Sequence, residues 1–116
     1  MTTVDLNAVA TAAIANLQEA IDKLNALKRQ PGADVGKFTA QIEALEERQA
    51  DLRTLALASI ESSPENQAAI AAVNGAAAKL QTEAGNITTV ANALNMAAQV
   101  VNSAADLFVA LGKFAA

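Results

Sequence analysis

The sequence predicts an all-α protein, and three observations lead to that prediction. Apolar residues recur with helical spacing along most of the chain, no segment alternates apolar and polar residues as a half-buried strand does, and 30 of the 116 residues are alanine. Alanine has the highest helix propensity but buries little surface, so helices form readily while each helix pair is stabilised modestly. One helical domain is expected, with an antiparallel helical hairpin in residues 1–62 and a long helical region in residues 63–116.

The first two helices make up the predicted hairpin. Apolar residues at helical spacing predict a first helix over about residues 3–29, and Pro31-Gly32 ends it. The second helix is predicted to begin at Asp34, a typical N-cap residue, and to run to about residue 61. Gln49 falls on its apolar stripe and has two interpretations. The favoured one is an edge amide that reaches solvent, and the other is a buried polar residue that sets the register.

The remaining region begins with Ser62-Ser63-Pro64-Glu65, a typical helix start, and then carries two interleaved seven-residue series. These series predict a packing seam of alternating small and large side chains. The small series is Ala77, Ala84, Ala91, Ala98, Ala105 and Gly112, and the large series is Val73, Leu80, Ile87, Leu94, Val101 and Phe108. Because both series keep one phase past Gly85-Asn86, a single helix of about 48 residues is favoured. Glycine followed by asparagine also stops helices, and a turn there gives the alternative, an up-down four-helix bundle.

A further stripe in the same phase is polar and, except for its last member, uncharged. It consists of Gln81, Thr88, Asn92, Asn95, Gln99, Asn102 and Asp106. Two interpretations are open. The favoured one is a solvated face with a bias towards amides, and the other is a second packing surface on which the amides hydrogen-bond between helices.

Composition and motifs argue against catalysis and nucleic-acid binding. The eight basic residues are dispersed among twelve acidic ones, for a net charge of −4, so no basic patch for phosphates is expected. The densest carboxylate face, formed by Glu43, Glu47 and Asp51, lacks the histidine partners of a di-metal bundle site. No phosphate-binding glycine loop or serine nucleophile motif is present. We therefore predict no enzyme, no cofactor, no metal and no small-molecule substrate.

The location is predicted from the amino terminus and from one uncharged span. No signal peptide is visible, so the cytoplasm is the default, and secretion without a cleaved signal stays open. The 22 residues from Ala84 to Ala105 carry no charge and are long enough to cross a bilayer. Five amide side chains within them make a spanning helix unfavourable, so any membrane contact is expected at the surface.

The predicted function is structural: helix–helix association of the coiled-coil type, with a second copy or another helical protein as the partner. Bulky apolar residues concentrate near the carboxyl end and form the candidate partner-binding set where they are exposed. They are Leu94, Val101, Leu107, Phe108, Leu111 and Phe114. The alternative function is an amphipathic helical protein that binds a membrane or an apolar particle through this end.

Overall fold

The structure is a bundle of four α-helices. A computed structural model describes residues 3–115, and 73% of these are helical. The helices are α1 (Leu6–Leu27), α2 (Val35–Arg53), α3 (Gln67–Gly85) and α4 (Val90–Gly112), and two short strands, β1 (Thr3–Asp5) and β2 (Ser59–Glu61), form an antiparallel pair. The prediction of an all-α fold is confirmed.

The chain runs up, down, up and down through the bundle. Short turns join α1 to α2 and α3 to α4, so each pair is an antiparallel hairpin. Lys23, near the carboxyl end of α1, donates hydrogen bonds to the carbonyl oxygens of Ala84 (3.1 Å) and Gly85 (3.4 Å) at the carboxyl end of α3. The neighbouring helices α1 and α3 are therefore parallel. α2 and α4 are also neighbours, and α1 and α4 contact each other across the bundle.

Local signals place the first hairpin where the sequence predicts it. The carboxylate of Asp5 accepts a hydrogen bond from the N–H of Ala8 (3.1 Å), and the carboxylate of Asp34 accepts one from the N–H of Lys37 (3.2 Å). Both aspartates thereby cap their helices. Gly32 has a φ of 86°, a left-handed conformation that glycine adopts without strain. The turn at Pro31-Gly32 and the N-cap at Asp34 are confirmed.

The second helix is shorter than predicted. α2 ends at Arg53 rather than near residue 61, Leu55–Ala58 is irregular, and Ser59–Glu61 forms β2. The strand pairs with β1 in a register that places Ile60 opposite Val4. The apolar run in this segment is compatible with a helix or a strand, and a pairing partner far away in the chain favours the strand. The same pairing makes α1 begin later than predicted.

The third helix also begins later than the sequence predicts. Pro64–Asn66 forms a turn, and α3 begins at Gln67 rather than at the Ser62-Ser63-Pro64-Glu65 signal. The N–H of Asn66 donates to the carbonyl oxygen of Ser63 (3.0 Å), whose side chain is buried. The signal thus marks this boundary to within one helical turn.

The carboxyl-terminal region forms two helices, so the expectation of one continuous helix is wrong and the four-helix alternative is the one observed. α3 ends at Gly85, and the N–H of Asn86 donates to the carbonyl oxygen of Glu83 (3.1 Å). Thr89 then starts α4 with a capping box. Its hydroxyl accepts from the N–H of Asn92 (3.2 Å), and the side-chain oxygen of Asn92 accepts from the N–H of Thr89 (3.1 Å). These reciprocal bonds satisfy donors that the break leaves without helical partners.

All four helices contribute to the core, but the predicted seam holds only for α3. Val73, Leu80 and Ala84 of α3 are buried as predicted, whereas Ala91 of α4 is exposed and Leu94 is half-buried. The turn at Asn86-Thr89 interrupts the helix, so the seven-residue phase of α3 does not continue into α4. A different face of α4 therefore packs inward. Its buried stripe is Ala93, Val100 and Leu107 together with Ala97, Ala104 and Leu111.

We predict that Ala97→Leu destabilises the protein and that Ala91→Leu does not. Ala97 is fully buried, and a larger side chain there should lower the free energy of unfolding by about 1–3 kcal/mol through overpacking. Ala91 lies on the exposed side of the same helix, so the matched substitution should change that free energy by less than about 0.5 kcal/mol. Urea unfolding of both variants measures the difference. Equal effects would mean that the packing face of α4 is misassigned.

Candidate functional site

The candidate partner-binding residues do not form an exposed patch. Leu107 and Leu111 are fully buried, so these two are unavailable to a partner in this fold, which corrects their assignment. The other four candidates are half-buried and pack against the core; they are Leu94, Val101, Phe108 and Phe114. Among residues 3–115 the large exposed apolar side chains are Val35, 55% exposed, and Val109, 64% exposed, which belong to different helices. The bulky apolar residues at the carboxyl end of α4 therefore pack mainly into the core.

The polar stripe faces solvent, in agreement with its favoured interpretation. Gln81, Asn95 and Asn102 are exposed, and Gln99 is half-buried. Asn92 is half-buried because it belongs to the capping box, where its amide nitrogen also donates to the carbonyl oxygen of Asn86 (2.9 Å). Thr88 and Asn92 contribute hydrogen bonds to the turn between α3 and α4, and the exposed members of the stripe form no packing surface within the bundle.

The charged residues of α2 form a solvated face. Arg48 and Asp51 form an ion pair with 3.2 Å between nitrogen and oxygen, and Glu43 and Glu47 are exposed. No group of three or more histidine, cysteine, aspartate or glutamate side chains in the described part of the chain is arranged to hold a metal ion. Nothing in this geometry groups the carboxylates around a common point.

A shallow groove of about 410 Å³ lies between α3 and α4. It is lined by Ala78, Lys79, Thr82, Glu83, Asn86 and Gln99. Glu83 accepts a hydrogen bond from the hydroxyl of Ser103, which is buried beside it. Ser103 therefore fixes the carboxylate at the edge of the groove, and the side chains around it offer hydrogen bonds without a paired nucleophile and base.

The most distinctive surface lies on α1 and α3, which are parallel neighbours. Neither Leu6–Gln18 nor Asn66–Ala78 contains a charged residue, and the parallel packing of α1 and α3, with Lys23 bonded to the end of α3, brings both segments to the same end of the bundle. Their exposed side chains are all uncharged: alanine, one glycine and one threonine, together with the amides Asn7, Gln18, Gln67 and Asn74. We call seven of the small exposed residues the alanine face; they are Ala8, Ala12 and Ala15 of α1 and Ala68, Ala71, Gly75 and Ala78 of α3.

The alanine face gives another backbone unusually close access to α3. Ala71, Gly75 and Ala78 follow one another at the spacing of a single helix face, and all three are exposed. A Cβ atom placed on Gly75 meets no other atom within 4 Å, so the glycine is not required by packing within the chain. α2 differs from these segments because it carries seven charged residues: Lys37, Glu43, Glu46, Glu47, Arg48, Asp51 and Arg53. α4 resembles them, with Asp106 as its one charged residue.

Gln49 is buried, so its favoured interpretation as an edge amide is wrong. Its side chain is 4% exposed and donates to the carbonyl oxygen of Ile14 (3.1 Å) and to the side-chain oxygen of Gln18 (3.1 Å). Gln18 in turn donates to Asp22 (3.0 Å). This chain of hydrogen bonds ties α2 to α1 at one relative position.

The comparisons with known proteins identify no relative. The chain matches no protein-family model, no curated protein and no solved structure. Within the described residues, α4 is the one helix that is long and apolar enough to cross a membrane, and 39% of its most apolar window is buried in the bundle. The core helix of a globular bundle can be equally long and apolar, so the length and composition of α4 are weak evidence for a membrane span.

We predict that Gln49→Glu destabilises the protein more than Gln49→Met. A carboxylate at this position faces two oxygen atoms instead of donating to them, which should lower the free energy of unfolding by about 1–3 kcal/mol. Methionine removes the hydrogen bonds, but the carbonyl of Ile14 lies inside α1 and Gln18 is exposed, so both stay satisfied and the loss should be below about 1.5 kcal/mol. Urea unfolding at pH 7 compares the two variants. If methionine were as damaging as glutamate, the amide would be indispensable for the packing of α1 on α2.

Proposed function

We propose that the protein is a non-catalytic, cytoplasmic interaction protein that associates with a second copy of itself by helix–helix packing at the alanine face. The observation that carries the proposal is the distribution of charge. Seven charged residues lie within α2, whereas the facing segments of α1 and α3 have none. Solvent-exposed helix faces normally carry glutamate and lysine, so an uncharged face of small residues is suited to contact with another helix.

Charge favours a second copy as the occupant of this face. The chain has a net charge of −4, so two copies repel each other wherever acidic residues meet. At the alanine face they approach without such repulsion. A two-fold contact uses the same face on both copies, and side chains no larger than a methyl group allow the backbones of the two α3 helices to come close.

The area of the alanine face determines how tightly two copies are expected to bind each other. Each uncharged segment is 13 residues long. At 1.5 Å per residue and about 10 Å per helix diameter, the face measures about 20 Å by 20 Å. Two copies then bury about 800 Å² in total, which is in the range of weak and transient interfaces. The proposal is therefore a reversible dimer with a dissociation constant in the micromolar range or above.

We predict that Ala71→Glu weakens self-association at least tenfold and that Ala50→Glu leaves it unchanged. Both substitutions place the same carboxylate on an exposed helical position, but Ala71 lies on the alanine face and Ala50 on the charged surface of α2. Sedimentation equilibrium up to several hundred micromolar protein measures the dissociation constants. A monomer at the highest concentration, or equal constants for the two variants, would contradict the proposal.

A second candidate function, binding to a membrane or an apolar particle, is favoured by the apolar character of α4 and by the exposure of Val109. In this case the protein should float with phosphatidylcholine vesicles, and Val109→Asp should reduce the floated fraction severalfold because it places a charge at the exposed apolar position. Flotation tests both statements. Absence of the protein from the vesicle fraction would remove this candidate and leave self-association unaffected.

A further inference from the structure

The middle of α3 contains Asn74-Gly75, the one place in the sequence where glycine follows asparagine. Both residues are exposed. Asn74 comes three residues after Ala71 and four before Ala78, so its side chain lies on the same side of the helix as these members of the alanine face. Any change in the charge of Asn74 is therefore a change at that face.

Gly75 leaves its own backbone nitrogen without the shielding that a side chain provides. A Cβ atom at this position would meet no other atom within 4 Å, and the backbone lacks the positive φ that favours glycine. Glycine in the interior of a helix is also less stable than alanine. Within the chain, Gly75 thus weakens α3 without improving its packing, and it leaves the peptide nitrogen beside Asn74 open to reaction.

An asparagine followed by glycine loses its side-chain amide readily. The backbone nitrogen of Gly75 attacks the side-chain carbon Cγ of Asn74, a bond forms between these atoms, and the bond from Cγ to Nδ2 breaks. Ammonia leaves with the proton of the Gly75 N–H, and a five-membered succinimide ring stays in the chain. Water then opens the ring, at Cγ to give aspartate or at the main-chain carbonyl carbon to give isoaspartate. The reaction consumes one water and releases one ammonia, without oxidation or reduction.

The helix holds this reaction back in the folded protein. Gly75 lies inside α3, where each backbone N–H donates to the carbonyl oxygen four residues earlier. Residues in an α-helix have a ψ of about −42°, and ring closure requires a ψ at Asn74 far from that value. The nitrogen therefore reaches Cγ only when this turn of α3 opens.

The first half of α3 is held in place by few contacts. Its N-cap residue, Asn66, makes no side-chain hydrogen bond that caps the helix. Between Gln67 and Lys79, the buried residues are Ile70 and Val73. Segments with few buried apolar contacts open locally at a lower free energy than the rest of a protein. Such local opening gives Asn74 access to the conformation that reacts.

We propose that Asn74 is a modification site, which converts to aspartate and isoaspartate when the first half of α3 opens, and that its conversion weakens contact at the alanine face. Aspartate adds a negative charge to this face in a chain whose net charge is already −4, so two modified copies repel each other. Isoaspartate adds a carbon atom to the backbone and disrupts the helix around Gly75. The effect on association rests on the proposed function, whereas the conversion itself does not.

Mass spectrometry of proteolytic peptides measures the conversion in the full chain, incubated in slightly alkaline buffer at physiological temperature. Asn74 should convert before Asn102, an exposed asparagine of α4 that also precedes a small residue, the buried Ser103. Gly75→Ala should slow the conversion about fivefold or more, because alanine shields the attacking nitrogen and stabilises the closed turn. An Asn74 that stays intact as long as Asn102, or that converts equally fast beside alanine, would overturn the modification site.

Unfolding tests whether the helix controls the reaction. In urea at a concentration that unfolds the protein, Asn74 should convert faster than in the folded chain, because the reactive conformation is then freely populated. Equal rates in the folded and unfolded chains would overturn the dependence on opening of α3.

Sedimentation equilibrium measures the consequence separately. Asn74→Asp reproduces one product and should weaken self-association about tenfold through charge repulsion, whereas Asn95→Asp makes the same change at an exposed position of α4 and should leave it unchanged. Circular dichroism verifies that both variants are folded. Equal dissociation constants for the two variants would overturn the effect on the alanine face. If the unsubstituted chain is a monomer, the proposed function fails, and the mass spectra alone decide whether Asn74 is a modification site.

Discussion

Close approach between α1 and α4 is the constraint on which the rest of the bundle depends. Helices at opposite corners of a four-helix bundle normally stand apart, yet these two are in contact. They can approach because both present alanine to the core: Ala10, Ala13 and Ala20 in α1, and Ala93, Ala97 and Ala104 in α4. The molecule is correspondingly thin, with extents of 53, 22 and 16 Å along its principal axes. Larger side chains such as Phe38 and Leu80 fill the remaining space beside α2 and α3.

A core made of alanine has a consequence for the surface. The same residue type lines the interior and the solvent side of α1, α3 and α4, so charge rather than hydrophobicity distinguishes the faces of this protein. The charged side chains of α2 mark one side as solvated. The two uncharged segments of α1 and α3 lack such charges, as do residues 90–105 of α4. Their adjacency depends on the parallel packing of α1 and α3, which Lys23 supports through its bonds to the end of α3.

These properties explain how far the sequence predicts the structure. The first hairpin is predictable because Asp34 and Pro31-Gly32 act through local hydrogen bonds and backbone geometry. The packing face of α4 is not predictable in this way. Ala91 and Ala93 both belong to seven-residue apolar series, and only the position of the turn decides which series packs inward. The capping box of Thr89 and Asn92 was a readable signal for that turn. The burial of Gln49 depends on Ile14 and Gln18, which lie on another helix, and no local pattern specifies it.

The candidate site is equally hard to predict from the sequence, because it too depends on contacts between distant parts of the chain. Leu107 and Leu111 belong to the apolar concentration at the carboxyl end, and their burial follows from the rotation of α4 rather than from anything in their own neighbourhood. The alanine face could be found by searching for uncharged stretches, but such a search does not tell which two stretches are neighbours. The strand Ser59–Glu61 likewise depends on its pairing with Thr3–Asp5, far away in the sequence.

The pairing of β1 with β2 also orders events during synthesis. The hairpins α1–α2 and α3–α4 are closed by contacts between residues near each other in the chain, and such contacts form rapidly. The pair of Val4 and Ile60 joins residues far apart in sequence, so its closure carries a larger loop entropy. During synthesis β1 is complete before its partner and can pair only after the chain has been made as far as Glu61, by which point both helices of the first hairpin are complete. The pairing of β1 with β2 can therefore close only on helices that already exist in full.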